Sequence, residues 1–141
     1  MTPWFRYAVA AAVLYGAHQI FTRLASDGIG DGLGGFVVEA TAAFTILCYL
    51  LVLRLLGRWD QPFSAPGFWY SVVTGLCVGA GTVAFFLLFQ RGGPLSVVPA
   101  ILAGGAAMMA VAGMTFFHEP LSWQRLLGVG LALAGLFLLR K

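Results

Sequence analysis

The sequence predicts an all-α, polytopic membrane protein with five transmembrane helices, and three observations support this. Hydrophobic residues make up 60% of the chain and charged residues only 9%, whereas about 25% of a typical soluble domain is charged. Two charge-free runs reach the ~20 residues that a helix needs to cross a bilayer. The 19 glycines are typical of membrane helices, which approach one another closely through small residues.

We expect one five-helix membrane domain over residues 1–141. The proposed helices cover about residues 3–22, 33–53, 67–90, 94–117 and 121–139. The first begins at Pro3, and Arg6 lies near its entry interface. A glycine-rich loop follows this helix, and Arg54 and Arg58 end the second helix. Basic residues at helix ends are typical of anchors at the membrane surface.

Turn-forming residues separate the remaining helices. Pro62 and Pro66 lie before the third helix, and Trp69 marks its interfacial end, as tryptophans commonly do at a membrane surface. Arg91-Gly92-Gly93-Pro94 is a tight turn before the fourth helix, and His118-Glu119-Pro120 leads to the fifth. We therefore expect short connections and antiparallel neighbouring helices.

The first helix carries a polar stripe in its last turns. Tyr15, His18, Gln19 and Thr22 follow the spacing i, i+3, i+4, i+7, which places them on one face. A polar stripe on an apolar membrane helix is expected to face the protein interior. It is either a set of hydrogen bonds between packed helices or a surface that contacts a substrate.

Glu39 is the residue around which the predicted function is organised. It is the carboxylate inside the apolar run of the second helix, where a charge costs at least about 2.5–3.5 kcal/mol. Helix rise places His18 at a similar depth, so these two side chains are expected to be able to pair. The alternative is a structural role, in which Glu39 binds the glycine-rich loop or pairs with Arg23 or Arg91.

Two features of the later helices predict contacts between helices. Gly75-x-x-x-Gly79 in the third helix is a small-residue packing motif. Pro99 lies within the fourth predicted helix, and an internal proline tends to bend a membrane helix. Cys48 and Cys77 fall near the middle of predicted spans and are expected to be buried free thiols.

The distribution of lysine and arginine does not fix one orientation. With five spans, one side of the membrane carries four basic residues, Arg6, Arg54, Arg58 and Arg125, and the other carries four, Arg23, Arg91, Arg140 and Lys141. Because the Lys/Arg bias normally sets orientation, we expect insertion in both orientations and an antiparallel homodimer. A parallel homodimer and a heteromeric partner are the alternatives.

The second half of the chain resembles the EamA-type repeat of the drug/metabolite transporter superfamily. The resemblance rests on four segments: Phe85–Gln90 with Gly92, Ser96-Val97-Val98-Pro99, Phe117-His118-Glu119-Pro120-Leu121-Ser122, and Gly128 with Gly135 before an apolar end. Chain length and five spans are similar to the single-repeat bacterial and archaeal branch. Where such relatives often carry an acidic–basic pair, this chain has Ile101 and Leu102.

The resemblance implies that the five helices form one half-transporter repeat. Two repeats would surround a central cavity as an inverted-repeat dimer. The dimer would lie in the bacterial or archaeal plasma membrane, which is the cell inner membrane in bacteria with two membranes. Pro99 would be the bend of helix 4 beside that cavity, and Glu119 the acidic residue of the turn before helix 5.

We therefore predict transport of a small metabolite or drug-like solute, by export or exchange. Glu39 is the candidate proton- or cation-coupling residue, and His18 its partner or relay. Hydrogen bonds from Tyr15, Gln19 and Gln90 would orient the substrate, and Phe86 and Trp69 would form apolar walls. A lipid or lipid-linked-sugar flippase subunit and a non-transporting accessory subunit are the alternatives.

An enzyme is not expected, because the sequence shows neither a nucleophile–base pair nor a metal-ligand cluster. Cofactors, metal ions and nucleic acid are likewise not predicted as partners. The expected partners are the small-molecule substrate, the lipid bilayer and a second copy of the chain.

A topology measurement tests the predicted dual insertion. A reporter active only in the cytoplasm and one active only outside it would be fused, in turn, after Lys141. Because the two sides carry equal basic charge, we expect strong signals from both fusions. Signal from one fusion alone would contradict dual insertion.

Overall fold

The computed structural model describes residues 3–118 and 122–138, and this part of the chain is helical without β-strands. Five α-helices follow one another: α1 (Pro3–Ser26), α2 (Asp31–Leu55), α3 (Ala65–Gln90), α4 (Val98–Thr115) and α5 (Trp123–Leu138). A 3₁₀ turn, Leu95–Val97, lies directly before α4. The all-α class and the number of helices are confirmed.

The first connection is shorter than the sequence predicts, because α1 and α2 are each longer at their facing ends. Arg23 in the last turn of α1 forms an ion pair with Asp27, four residues later, with 2.5 Å between Nη1 and Oδ1. The Ser26 hydroxyl donates to the Arg23 carbonyl at 2.7 Å. Asp31 in the first turn of α2 interacts favourably with the helix dipole.

Within the described residues, three helical segments are long and apolar enough to cross a membrane: Asp31–Leu55, Ala65–Gln90 and Leu95–Thr115. α1 has 24 residues, but its charged and polar side chains make it less apolar. α5 has 16 described residues, just under the ~17–25 that a spanning helix needs. The fold is therefore that of a membrane-associated protein, with three of the five predicted spans identified by length and hydropathy.

The helices form two compact units, residues 1–92 and 93–141. In the first unit, α3 packs against both α1 and α2. Thr82, Phe86 and Phe89 are its buried residues, and their spacing of four and three residues places them on one face of α3.

The contact between α2 and α3 depends on two adjacent glycines. A Cβ atom at Gly34 would lie 2.5 Å from Cε1 of Phe86, and one at Gly35 would lie 3.1 Å from Cγ2 of Val83. Both glycines were expected near the boundary of the first loop, but both are helical and buried. Without side chains, they allow α3 to lie directly against the α2 backbone.

The pairs of contacting residues show that α2 and α3 are antiparallel. Gln90 Nε2 donates to the carbonyl oxygen of Ile29 at 2.9 Å, one helical turn beyond the Phe86–Gly34 contact. This hydrogen bond holds the end of α3 against the turn that precedes α2. Gly75 and Gly79, by contrast, have open space where their Cβ atoms would be, so within the described residues they make no close helix contact.

The second unit contains the 3₁₀ turn and the packed pair α4 and α5. Pro99 lies in the first turn of α4, where its missing N–H costs the helix no intrahelical hydrogen bond. The Val98 N–H donates to the Leu95 carbonyl and the Val97 N–H to the Pro94 carbonyl, which are the hydrogen bonds of the 3₁₀ turn before α4. The proline therefore marks the start of α4, whereas the sequence predicted a bend within the helix.

Most of the apolar surface of the described helices is exposed. None of the most apolar 18-residue stretch of α2 is buried, and Cys48 and Cys77 are exposed as well, contrary to the prediction that they are buried. Soluble monomers rarely expose large apolar patches. These faces require lipid or a protein partner.

The Gly34 contact generates a stability prediction. We expect Gly34→Ala to lower the free energy of unfolding by about 1–3 kcal/mol, because the new methyl group overlaps the Phe86 ring in a packed site. Thermal unfolding in detergent micelles, followed by circular dichroism, measures the change. Gly32→Ala is the matched control, since nothing lies within 4 Å of a Cβ there. Equal stability of the two variants would contradict the prediction.

Candidate functional site

The candidate site is a hydrogen bond between a carboxylate and a hydroxyl across the α2–α3 contact. Thr82 Oγ1 on α3 donates to Glu39 Oε1 on α2 at 2.5 Å, a distance typical of a strong O–H···O⁻ bond. Glu39 lies one turn beyond Gly35, on the same face of α2. The close approach at Gly35 therefore brings the short Thr82 side chain within reach of the carboxylate.

The Glu39 carboxylate has few polar partners among the described residues. Thr82 is 4% exposed, and Glu39 is half-buried. In the part of the chain that the structure describes, Glu39 has no other hydrogen bond and no ion pair. Arg23 pairs with Asp27 instead, and Arg91 pairs with no carboxylate among those residues. The alternative structural pairings predicted for Glu39 are therefore not formed.

Glu39 and His18, which the sequence predicts to pair, are found at different sides of α2: the Glu39 side chain points to one side, and His18 of α1 lies next to the other. Val37, Val38 and Thr41 line a groove together with His18 of α1. Thr41 is two residues beyond Glu39, which is about 200° around the helix. Glu39 thus faces α3, while the α2 surface near His18 is a different one. No hydrogen bond or ion pair joins these two side chains among the described residues.

The predicted polar stripe of α1 divides into a buried and an exposed part. Gln19 and Thr22 are buried, and Ser26 extends this buried face by one turn. Tyr15 is 66% exposed, and its ring lies edge-on to the His18 ring, with 6.4 Å between centroids. Gln19 and Thr22 are therefore inside the three-helix unit, whereas Tyr15 is on its surface.

The remaining predicted site residues are dispersed. Phe86 is fully buried against Gly34, and Gln90 holds the turn before α2. Trp69 is 65% exposed and lies about 20 Å along α3 from Thr82 at the usual helix rise. Pro99 lies at the start of α4, and Glu119 lies outside the described residues.

Sequence reasoning missed Thr82, the partner of Glu39. The sequence shows Thr82 as an isolated threonine in an apolar helix. This feature is a weak indication of a site, because such a threonine usually donates to a carbonyl of its own helix. Thr74 does so, donating to the Tyr70 carbonyl at 2.9 Å. Only the packing of α2 on α3 distinguishes the two threonines.

The comparisons with known proteins give no family. No family model, curated protein or solved structure matches the chain. In the described part of the chain, no group of three or more His, Cys, Asp or Glu side chains is arranged to hold a metal ion. The candidate site therefore rests on its geometry.

A double-mutant cycle tests the strength of the Glu39–Thr82 bond. We expect Thr82→Val to lower the free energy of unfolding by about 1.5–3 kcal/mol, because it leaves a half-buried carboxylate without its donor. In a Glu39→Gln background the same change is expected to cost less. Reversible denaturant unfolding in micelles measures both. Thr74→Val is the control, and strictly additive effects of the two substitutions would contradict coupling.

Proposed function

We propose that this chain is a subunit of a secondary transporter that moves a small metabolite or drug-like solute across the membrane. The observation that carries the proposal is Glu39, a half-buried carboxylate inside a helix long enough to span the bilayer, with Thr82 as its one hydrogen-bond donor among the described residues. Ionisable groups in such positions are expensive and typically mark ion or substrate pathways.

The bond to Thr82 suggests how coupling would operate. In the ionised form, Glu39 accepts the hydrogen bond from the Thr82 hydroxyl and keeps free acceptor capacity for a cation. In the protonated form, the carboxyl group needs no counter-charge, so an organic cation bound beside it would be released. Competition between a proton and the solute for one carboxylate is sufficient for exchange of the two.

The assembled transporter is proposed to be a dimer, with all five helices in the membrane. The exposed apolar faces of α2 and α3 provide surface for a second copy. Equal basic charge on the two predicted sides supports an antiparallel arrangement, which would build an inverted repeat from one chain. This architecture agrees with the resemblance to the EamA-type repeat and with a place in the bacterial or archaeal plasma membrane.

Transport assays in proteoliposomes test the role of Glu39. With an imposed pH gradient, ethidium, tetraphenylphosphonium and choline serve as cationic probes, and a pH-sensitive dye reports proton movement. We expect the wild-type protein to exchange protons for at least one probe. Glu39→Gln is expected to lose at least tenfold of the initial rate, because the amide cannot exchange a proton.

Two further variants make the transport result specific. Asp31→Asn removes an acid from the first turn of the same helix and is expected to retain transport. Glu39→Asp keeps the carboxylate, although it shortens the reach to Thr82, and is expected to retain part of the rate. Unchanged exchange by a correctly inserted Glu39→Gln protein, or no exchange of any probe by the wild type, would contradict the proposal.

A further inference from the structure

A groove of about 360 Å³ lies between α1 and α2, within the first unit. Phe21 and Ala25 of α1 and Val37 of α2 contribute apolar walls, and His18 and Thr22 contribute polar groups. Its volume falls in the range of small-ligand sites, which are mostly apolar with a few polar groups. The groove is lined by neither Glu39 nor Thr82, so it is separate from the candidate transport site.

Two polar atoms at this groove are buried without a partner. Nδ1 of His18 and Oγ1 of Thr22 have no hydrogen bond in the described part of the chain, and Thr22 is only 1% exposed. They are four residues apart on one face of α1. Buried polar atoms normally have a partner, and leaving one without it is costly.

Three other helical threonines bond within their own helix, and Thr22 differs from them. Thr45, Thr74 and Thr115 each donate to the carbonyl four residues earlier at 2.9 Å. Thr22 makes no such bond. Threonine has two accessible χ1 rotamers in a helix, so its hydroxyl can turn toward a molecule in the groove.

We propose that the groove binds the hydroxyl end of an uncharged lipid, such as a monoacylglycerol, that enters from the bilayer. A hydroxyl both donates and accepts, and so can pair with His18 Nδ1 and Thr22 Oγ1 once these two side chains turn toward the groove, because both atoms are closed to solvent in the structure. No acidic or basic chain of Asp, Glu, Lys or Arg lines the groove, which favours an uncharged ligand. Phe21 is 67% exposed and Val37 48%, so the apolar walls continue onto the outer surface that lipid chains contact.

Photolabelling in nanodiscs tests this assignment. The probe is a long-chain alcohol with a diazirine on its chain, and the matched control is the same diazirine hydrocarbon without the hydroxyl. Mass spectrometry of peptides locates the label. We expect the alcohol to label the groove-lining segments of α1 and α2 at least fivefold more than the hydrocarbon does, and monoolein in the nanodisc to compete.

Three variants identify the groups responsible. Thr22→Val removes the hydroxyl at nearly constant volume and is expected to reduce the alcohol's preference about fivefold, the effect of one lost hydrogen bond. Thr74→Val makes the same change outside the groove and is expected to leave labelling unchanged. Ala25→Phe fills the groove and is expected to abolish labelling there by both probes.

The outcomes separate this proposal from the transport proposal. Equal labelling by alcohol and hydrocarbon, or full preference retained by Thr22→Val, would overturn the lipid assignment. Glu39→Gln is expected to retain the labelling pattern, because Glu39 faces α3. Loss of transport in Glu39→Gln with intact labelling would therefore support both proposals independently.

Discussion

The close approach of α2 and α3 at Gly34 and Gly35 is the constraint on which the first unit depends. The Phe86 ring occupies the space that a side chain at Gly34 would need, and this close contact brings Thr82 next to Glu39. In lipid, helices associate mainly through van der Waals packing and hydrogen bonds between them. Two adjacent glycines allow the packing, and one turn later Glu39 accepts the hydrogen bond that Thr82 donates.

The polar groups of this unit are sorted onto two sides of α2. The side that faces α3 holds the carboxylate with its hydroxyl donor, and the side near α1 holds the groove with His18 and Thr22. A charged and an uncharged polar environment thus lie about half a helical turn apart. This separation is why a transport role for Glu39 and a lipid role for the groove are independent of each other.

The exposed apolar surface connects the fold to its environment. The described helices bury few large side chains, among them Phe86 and Phe89, so most of their hydrophobic area has no partner within the chain. Lipid chains and, in the proposed transporter, a second copy of the chain would cover this exposed hydrophobic area. The two buried aromatic residues fix the arrangement of three helices, and the outer faces remain available for both kinds of neighbour.

The sequence by itself determined the helical class, the number of helices and the position of a carboxylate within an apolar helix, because hydropathy and turn residues are local properties of the chain. It did not determine the partner of Glu39, because Thr82 is distant in the sequence and resembles the other helical threonines. Side-chain bonds at the end of α1, such as that of Arg23 with Asp27, accompany its extension to Ser26. Only tertiary packing decided that Gly34 and Gly35, rather than Gly75 and Gly79, allow close contact, since both motifs have small residues and only one faces a neighbouring helix.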